Sequence, residues 1–197
     1  VCMTFFYSAT RESARDYLKQ SLRTKGFDLA IPGRLPKIVD AVYKHAVPTV
    51  FAGPVDFMDW VQDCVPRLLD KQEYITWTTP SGFVVTQDVR HSLTERIKTR
   101  VMGEVVKTVV GVGWGKPNKP KHVSSISPNV IHSWDASLLH LTFAFYDKPF
   151  SLIHDCAMGR SCDMQHMNDE IRSHFVEMYK GDPLDDLARQ WEEPIPD

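Results

Sequence analysis

An aspartate at the end of an apolar run is the first candidate for a chemical site in this sequence. Residues 150–153, Phe-Ser-Leu-Ile, favour a buried strand, and His154 and Asp155 follow them directly. A carboxylate at the mouth of a rigid strand suits a hard cation such as Mg²⁺. Asp is also a favoured turn residue, and His154 suits a structural hydrogen bond. The bare pattern therefore leaves two roles open for Asp155, a metal ligand and a turn cap.

Two more side chains stand at positions where chemistry is plausible. His132 directly precedes Ser133 and Asp135, which are both helix-capping types, so we predict that a helix begins at Ser133. His132 would then lie near a helix start, where side chains meet phosphates or sugars, or it would be incidental to the cap. Tyr7 follows the apolar residues 3–6 and suits a core position, in which case its hydroxyl needs a partner.

The middle of the chain carries an excess of positive charge. Residues 88–122 hold eight Lys or Arg against three acidic residues, a local net charge of +5. Such a run is either a solvated face or a surface that follows phosphates, and Trp77 and Trp114 lie on either side of its cations at 90–107 for base stacking. The cationic side chains with this potential are Arg90, Arg96, Lys98, Arg100 and Lys107.

The elements that must position these residues are mostly helical. Apolar residues recur every three to four positions over 10–26, 35–46 and 54–70, which predicts three helices. We expect Pro48 to end the second helix and Pro66 to kink the third. Residues 74–87 alternate around Pro80-Ser81-Gly82 and predict a β-hairpin. Residues 111–117 are glycine-rich and read as a loop. A helix from Ser133, a second hairpin near 150–160 and a helix over 164–180 ending at Gly181 complete an α+β, mainly helical fold.

Composition narrows the class of protein. The chain has 197 residues, 43% of them hydrophobic and 24% charged, with a net charge of −2, which is typical of a folded globular sequence. It has no apolar run of 18 residues, its first residues do not follow a signal-peptide pattern, and its four cysteines lack zinc-finger or disulfide spacing. We therefore expect an intracellular protein. Residues 150–197 carry a net charge of −7, so the near-neutral total conceals a basic middle and an acidic end.

Four stretches, in this order, resemble the C-terminal part of the single-subunit DNA-dependent RNA polymerases of phages and mitochondria. They are Met-Thr-Phe-Phe-Tyr at 3–7, Trp-Thr-Thr-Pro-Ser-Gly-Phe at 77–83, Pro-Asn-Val-Ile-His-Ser-Trp-Asp at 128–135 and Ile-His-Asp-Cys at 153–156. The resemblance covers nearly the whole chain. It implies a right-hand polymerase, with fingers over 1–130, including a specificity-loop-like segment at 88–122, and the C-terminal part of the palm over 131–197.

The resemblance also implies roles for individual residues. Asp155 would hold the catalytic Mg²⁺ ions together with a second aspartate from an earlier palm strand. Tyr7 would distinguish ribose from deoxyribose, and His132 would contact the nascent base pair and sugar. Arg96, Lys98 and Arg100 become candidate DNA contacts in a promoter-reading hairpin, and Ser8 a candidate template contact in place of the usual glycine.

Further expectations concern partners and activity. The implied partners are template and promoter DNA, nascent RNA, NTPs and the remainder of the polymerase chain, with no membrane, in a host cytoplasm or in an organelle. The second metal-binding aspartate and the residues that grip the triphosphate should lie upstream of Val1, so we expect residues 1–197 alone to be inactive. Two alternatives stay open: a fragment of a related one-chain DNA polymerase, and a non-catalytic nucleic-acid-binding module. The roles of Trp134 and Cys156 are not assigned.

Overall fold

The computed structural model describes residues 5–6, 11–26 and 33–192. Its first helix, α1, spans Arg11–Thr24, and Gly26 follows it in the left-handed conformation with φ 74°. This matches the predicted helix and its glycine stop. Tyr7 and Ser8 lie outside the described residues.

The second helical segment runs further than predicted. Helix α2 spans Arg34–Ala41, a π-helical turn spans Val42–Ala46, and α3 continues over Val47–Val50. The prediction that Pro48 ends this segment is therefore wrong. Pro48 lies in the first turn of α3, where a missing N–H costs little, and the wider π turn directly before it makes room for the ring.

Helix α4 is the long central helix of the first half. It spans Ala52–Lys71 and continues through Pro66. Together with the helix α5, Lys119–Phe143, it forms the main core of the described chain. The apolar residues that they bury against each other and against neighbouring elements are Trp60, Val61, Cys64, Val65, Leu68, Ile126, Val130 and Trp134.

Two antiparallel hairpins lie between α4 and α5. Strands β1, Ile75–Thr78, and β2, Val84–Gln87, form the first hairpin, which confirms the prediction for 74–87. Strands β3, Arg90–Val101, and β4, Glu104–Pro117, form a much longer one. Residues 111–117 are thus strand rather than loop, because their backbone pairs with the start of β3 in spite of the glycines.

Helix α5 begins fourteen residues before the predicted start at Ser133. Its N-cap is Asn118, whose side-chain oxygen accepts a hydrogen bond of 3.1 Å from the backbone N–H of Lys121. Ser133 lies inside the helix, where its hydroxyl donates to the backbone oxygen of Val130. The predicted helix start at Ser133 is therefore wrong, and the predicted domain boundary after residue 130 falls within α5.

The last third of the chain contains a short hairpin and two helices. Strands β5, Phe150–Ile153, and β6, Cys156–Gly159, pair as predicted, but the expected burial is wrong because every residue of β5 is exposed. A 3₁₀ turn at Ser161–Asp163 leads into α6, Met164–Lys180, which is the predicted final amphipathic helix. An additional helix, α7, spans Pro183–Trp191 and was not predicted.

Helix α7 fastens the end of the described chain to the first hairpin. The side chain of Gln190 accepts from the backbone N–H of Thr78 and donates to its backbone oxygen, at 2.6 and 3.1 Å. Trp191 donates from its indole nitrogen to the backbone oxygen of Thr76 at 3.0 Å. The side chains of α7 therefore satisfy backbone groups of β1 and close the core on that side.

Candidate functional site

Asp155 lies in the two-residue turn of the β5–β6 hairpin. The partners Ile153 and Cys156 form the last pair of the ladder, so His154 and Asp155 connect the strands. His154 has φ 55°, a left-handed conformation that non-glycine residues seldom adopt, although histidine adopts it more readily than most. Asp155 is exposed, and the Cys156 thiol lies 3.8 Å from its Oδ1. A tight turn thus presents the carboxylate at the surface.

The structure brings His132 and Asp155 to one cavity. The cavity has a volume of about 410 Å³ and lies between the middle of α5 and the β5–β6 turn. Its lining residues are His132, Asp135, Ala136, Leu139, His154 and Asp155. Two residues 23 positions apart, both singled out by sequence, therefore face the same space.

Asp135 is the site residue that sequence reasoning treated only as a helix cap. It lies one turn after His132 on α5, and i, i+3 side chains share a helix face. Partial removal from water raises the pKa of Asp135, His132 lowers it, and the Asp155 carboxylate raises it further. The i, i+3 spacing would have revealed this residue if the helix had been predicted to begin before His132.

A second cavity adjoins the first on the side of α6. Its volume is about 450 Å³, and Asp135, Leu139 and Asp155 line both spaces. Burial raises the pKa of the Tyr179 hydroxyl of α6, and the Asp135 carboxylate adds to the shift. The two carboxylates therefore lie on a shared wall between two open spaces.

The donor set suits Mg²⁺ in part. Magnesium in phosphoryl-transfer sites usually takes one or two protein carboxylates and completes its shell with water and substrate phosphates. Asp155 and Asp135 offer carboxylate oxygens on two different elements. Within residues 5–6, 11–26 and 33–192, no group of three or more His, Cys, Asp or Glu is arranged to hold a metal ion.

The long hairpin carries its positive charge on one face. Side chains alternate between the two faces of a strand, so Arg96, Lys98 and Arg100 share a face of β3. The register pairs Lys98 directly with Lys107 of β4, which joins them on that face. Like charges opposite one another destabilise a sheet. An arrangement of this kind suits an anionic partner that lies across the face.

Other residues of the basic segment have different environments. Arg90, at the base of the hairpin, bonds Asp88 at 2.8 Å and Glu73 at 2.9 Å, so its charge is already compensated. Trp114 is 74% exposed and stays available for stacking. Trp77 is 2% exposed and donates to the Ser133 hydroxyl at 2.9 Å, so the prediction that it stacks on bases is wrong. Trp134 is likewise a core residue, packed on Phe57.

The described cysteines and helices add two observations. Cys156 and Cys162 are free thiols, as the sequence predicted. None of the helices in the described part of the chain combines the length and apolar character needed to cross a bilayer.

Comparison with known proteins identifies the family. The sequence profile of the DNA-dependent RNA polymerases matches residues 1–197. The polymerase of Pseudomonas phage phiKMV is 30% identical over 204 residues, covering 96% of this chain and 24% of the relative. Mitochondrial DNA-directed RNA polymerase 1 of Arabidopsis thaliana is 26% identical, covering 99% and 20%. DNA-directed RNA polymerase 2A of Nicotiana tabacum is 27% identical, covering 98% and 59%.

The chain therefore spans between a fifth and three-fifths of the length of these relatives. Phage and organellar proteins both appear among them, and the match extends over all four stretches that carried the resemblance. This chain belongs to the single-subunit, phage and mitochondrial type of DNA-dependent RNA polymerases.

Proposed function

We propose that this chain forms part of the active site of an enzyme that copies DNA into RNA by two-metal nucleotidyl transfer. The observation that carries the proposal is the cavity in which His132 of α5 and Asp155 of the β5–β6 turn meet. The family match favours RNA synthesis over the DNA polymerase alternative.

Asp155 is the proposed metal ligand in this site. It lies in a tight, exposed turn and lines the cavity. Magnesium, when bound, would supply positive charge for the phosphoryl group in transfer and for the leaving pyrophosphate. His132, which lines the same cavity from α5, would contact the base pair and sugar of the incoming nucleotide. Tyr7 would discriminate ribose from deoxyribose, and Ser8 would contact the template.

The number of carboxylate ligands in the site also limits the activity that we expect from residues 1–197 alone. Two metal ions require more carboxylates than Asp155 provides, and the described residues bring only Asp135 beside it. We therefore propose that catalysis needs residues of a longer polymerase chain. The proposed partners are NTPs, nascent RNA and a DNA template. The proposed location is a host cytoplasm or an organelle.

The basic face of the long hairpin is the proposed DNA contact. Arg96, Lys98 and Arg100 project together from β3 and face outward, since both strands are exposed over this region. A two-stranded ribbon of this kind fits the major groove of DNA, which is about 12 Å wide. These three side chains would bind phosphates or base edges of promoter DNA.

The Asp155→Asn variant of the full-length enzyme tests the catalytic proposal. Loss of one metal-binding charge removes several kcal/mol of transition-state stabilisation, so we expect RNA synthesis with Mg²⁺ to fall by about 10³-fold. Binding of a DNA duplex should stay within about twofold, because the hairpin is unchanged. NTP incorporation and fluorescence anisotropy measure the two effects.

Asp169→Asn is the matched control, since Asp169 is an exposed carboxylate of α6 that does not line the cavity. Equal activity of the two variants would contradict the metal role of Asp155. If the unchanged full-length enzyme incorporates no NTP but still binds DNA, the non-catalytic binding module becomes the better description.

A further inference from the structure

The base of the long hairpin rests on a buried histidine. His122, in the first turn of α5, has no exposed surface. The backbone N–H of Val89, the residue directly before β3, donates to His122 Nε2 at 3.1 Å. The backbone oxygen of Val89 accepts from the N–H of Asn118 at 2.8 Å. The peptide groups of Val89 are therefore held on both sides by the start of α5.

The buried side chain of Gln87 lies against the ring of His122, and Asn129 in turn holds Gln87. Its Nδ1 lies 3.1 Å from the side-chain amide nitrogen of Gln87, a residue of β2 that is 4% exposed. The side-chain oxygen of Gln87 accepts in turn from the amide of Asn129 at 2.8 Å. A neutral imidazole has one acceptor nitrogen. The bond from Val89 uses Nε2 as that acceptor, and the side-chain amide of Gln87 packs against Nδ1 on the other side of the ring.

The rest of the hairpin has little other support. Strands β3 and β4 pack mainly on each other, and their residues are exposed over nearly the whole length. The direction of the hairpin is therefore set at its base. Strand β3 has 12 residues, which at about 3.3 Å per residue gives a length of about 40 Å. A rotation of about 10° at the base would move the tip by about 7 Å, the length of about two base-pair steps of DNA.

We infer that His122 is a positioning residue for the DNA-reading hairpin: through its bond to Val89, the buried ring fixes the direction in which the basic face points. The inference rests on the proposed contact between that face and DNA. His122 itself touches neither substrate nor DNA, and it acts through the peptide that precedes β3. It would determine which base pairs the hairpin reaches relative to the cavity at Asp155.

Two substitutions separate the Val89 bond from the rest of the ring's contacts. In His122→Gln the side-chain oxygen reaches the position of Nε2 and still accepts from Val89. In His122→Asn the shorter amide reaches only the position of Nδ1, near Gln87, and the Val89 bond is lost. Val130→Ala is the control for general destabilisation, because Val130 is a fully buried residue of the same helix far from Val89 in sequence.

The direction of the hairpin is measured as a distance between spin labels on the 197-residue chain. One label replaces Met102, which is fully exposed at the tip, and the other replaces the exposed Asp63 on α4. Cys2, Cys156 and Cys162 are changed to Ser, and Cys64 is buried. We expect a narrow distance distribution for the unsubstituted His122, His122→Gln and Val130→Ala, and a distribution broadened or shifted by about 7 Å for His122→Asn.

Two results would overturn the inference: an unchanged distribution in His122→Asn, or equal broadening in Val130→Ala. A second measurement separates this failure from failure of the proposed function. Anisotropy with a 20-base-pair DNA duplex compares Lys98→Ala with the parent chain. If Lys98→Ala binds equally well, the hairpin is not the DNA contact, whatever the distances show. If it binds less well and the distances behave as expected, both conclusions stand.

Discussion

The candidate site sets two carboxylates close enough to influence each other. Asp135 has its pKa raised by partial burial and by Asp155, with an opposing effect from His132. Repulsion of this kind is tolerated where a cation is to bind, since the ion converts it into attraction. If Asp155 holds a cation, that ion would also offset the repulsion at Asp135.

The raised pKa of Asp135, caused first by burial and then by Asp155, predicts the effect of Asp135→Asn on stability. A raised pKa means that the folded chain holds the Asp135 proton to higher pH than the unfolded chain. Stability therefore falls as the pH rises from 3.8 through the folded pKa, and the penalty remains at pH 7. In EDTA at pH 7 we expect Asp135→Asn to be more stable by about 0.2–1 kcal/mol, the range for exposed charge pairs.

Urea unfolding of the two proteins at pH 7 and pH 3 measures this difference. At pH 3 both side chains are neutral, so the advantage should disappear. Asp169→Asn serves again as the control, with little expected change at either pH. A destabilised Asp135→Asn at pH 7 would mean that the carboxylate is held by favourable contacts instead.

Single residues also show what the sequence could and could not predict at the site. His132 and Asp155 were found because each belongs to a short recognisable stretch. Asp135 was missed as a site residue because its proximity to Asp155 depends on how α5 packs beside the β5–β6 turn. The role of Trp77 was predicted wrongly because tryptophan occurs both in protein cores and on base-stacking surfaces. Only its hydrogen bond to Ser133 in the folded chain shows which role it has.

At the level of elements, short-range signals were reliable and helix limits were not. The first hairpin was predicted correctly because β-branched and aromatic residues flank a Pro-Ser-Gly turn. The start of α5 was missed because Ser124, Ser125 and Pro128 resemble loop residues. Both serine hydroxyls donate to the backbone oxygen of Lys121, and core packing of Ile126 and Val130 keeps the segment helical.

The long hairpin predicts opposite effects of one substitution on stability and on binding. Lys98→Glu converts the cross-strand pair with Lys107 from repulsive to attractive. We expect the hairpin amides to gain about 0.2–1 kcal/mol of protection in hydrogen exchange, the usual range for cross-strand pairs. DNA binding should weaken more than in Lys98→Ala, since a negative charge now faces the phosphates. Weaker protection in Lys98→Glu would contradict the assigned register.

Because His122 is buried, we expect the folding stability at the base of the same hairpin to be sensitive to acid. Burial, the largest effect, lowers the pKa of His122 below 6.5, although the nearby Asp88 carboxylate acts in the opposite direction. The unfolded chain therefore binds a proton at higher pH than the folded chain. The resulting stability is present above about pH 6.5 and is lost as the pH falls towards the folded pKa.

Unfolding free energies at pH 7.5 and 5.5 test this expectation. The parent chain should lose more stability than His122→Gln, whose side chain does not titrate, and the other histidines are common to both. Val89 should be the position where hydrogen exchange accelerates first in the parent. Parallel losses in the two proteins would show that His122 does not govern the acid response.

At the level of the whole molecule, positive and negative charges are concentrated in different segments of the chain. The net charge is −2, yet residues 88–122 carry +5 and residues 150–197 carry −7. The structure places much of the positive charge on a projecting hairpin and the proposed metal ligand in the acidic end. Duplex DNA should therefore be attracted to one projection of the molecule, while the acidic part favours cations.

The salt dependence of DNA binding follows from this segregation. Four cations, Arg96, Lys98, Arg100 and Lys107, share the basic face. If each neutralises one phosphate, the slope of log K against log salt concentration should be about −3.6, since each contact contributes about −0.9. Arg96→Ala, Lys98→Ala and Arg100→Ala combined should reduce the slope to about −0.9. Arg172→Ala, an exposed cation of α6, should leave it unchanged. A slope that follows the overall charge, near zero in every variant, would mean that the hairpin does not act as a separate DNA-binding element.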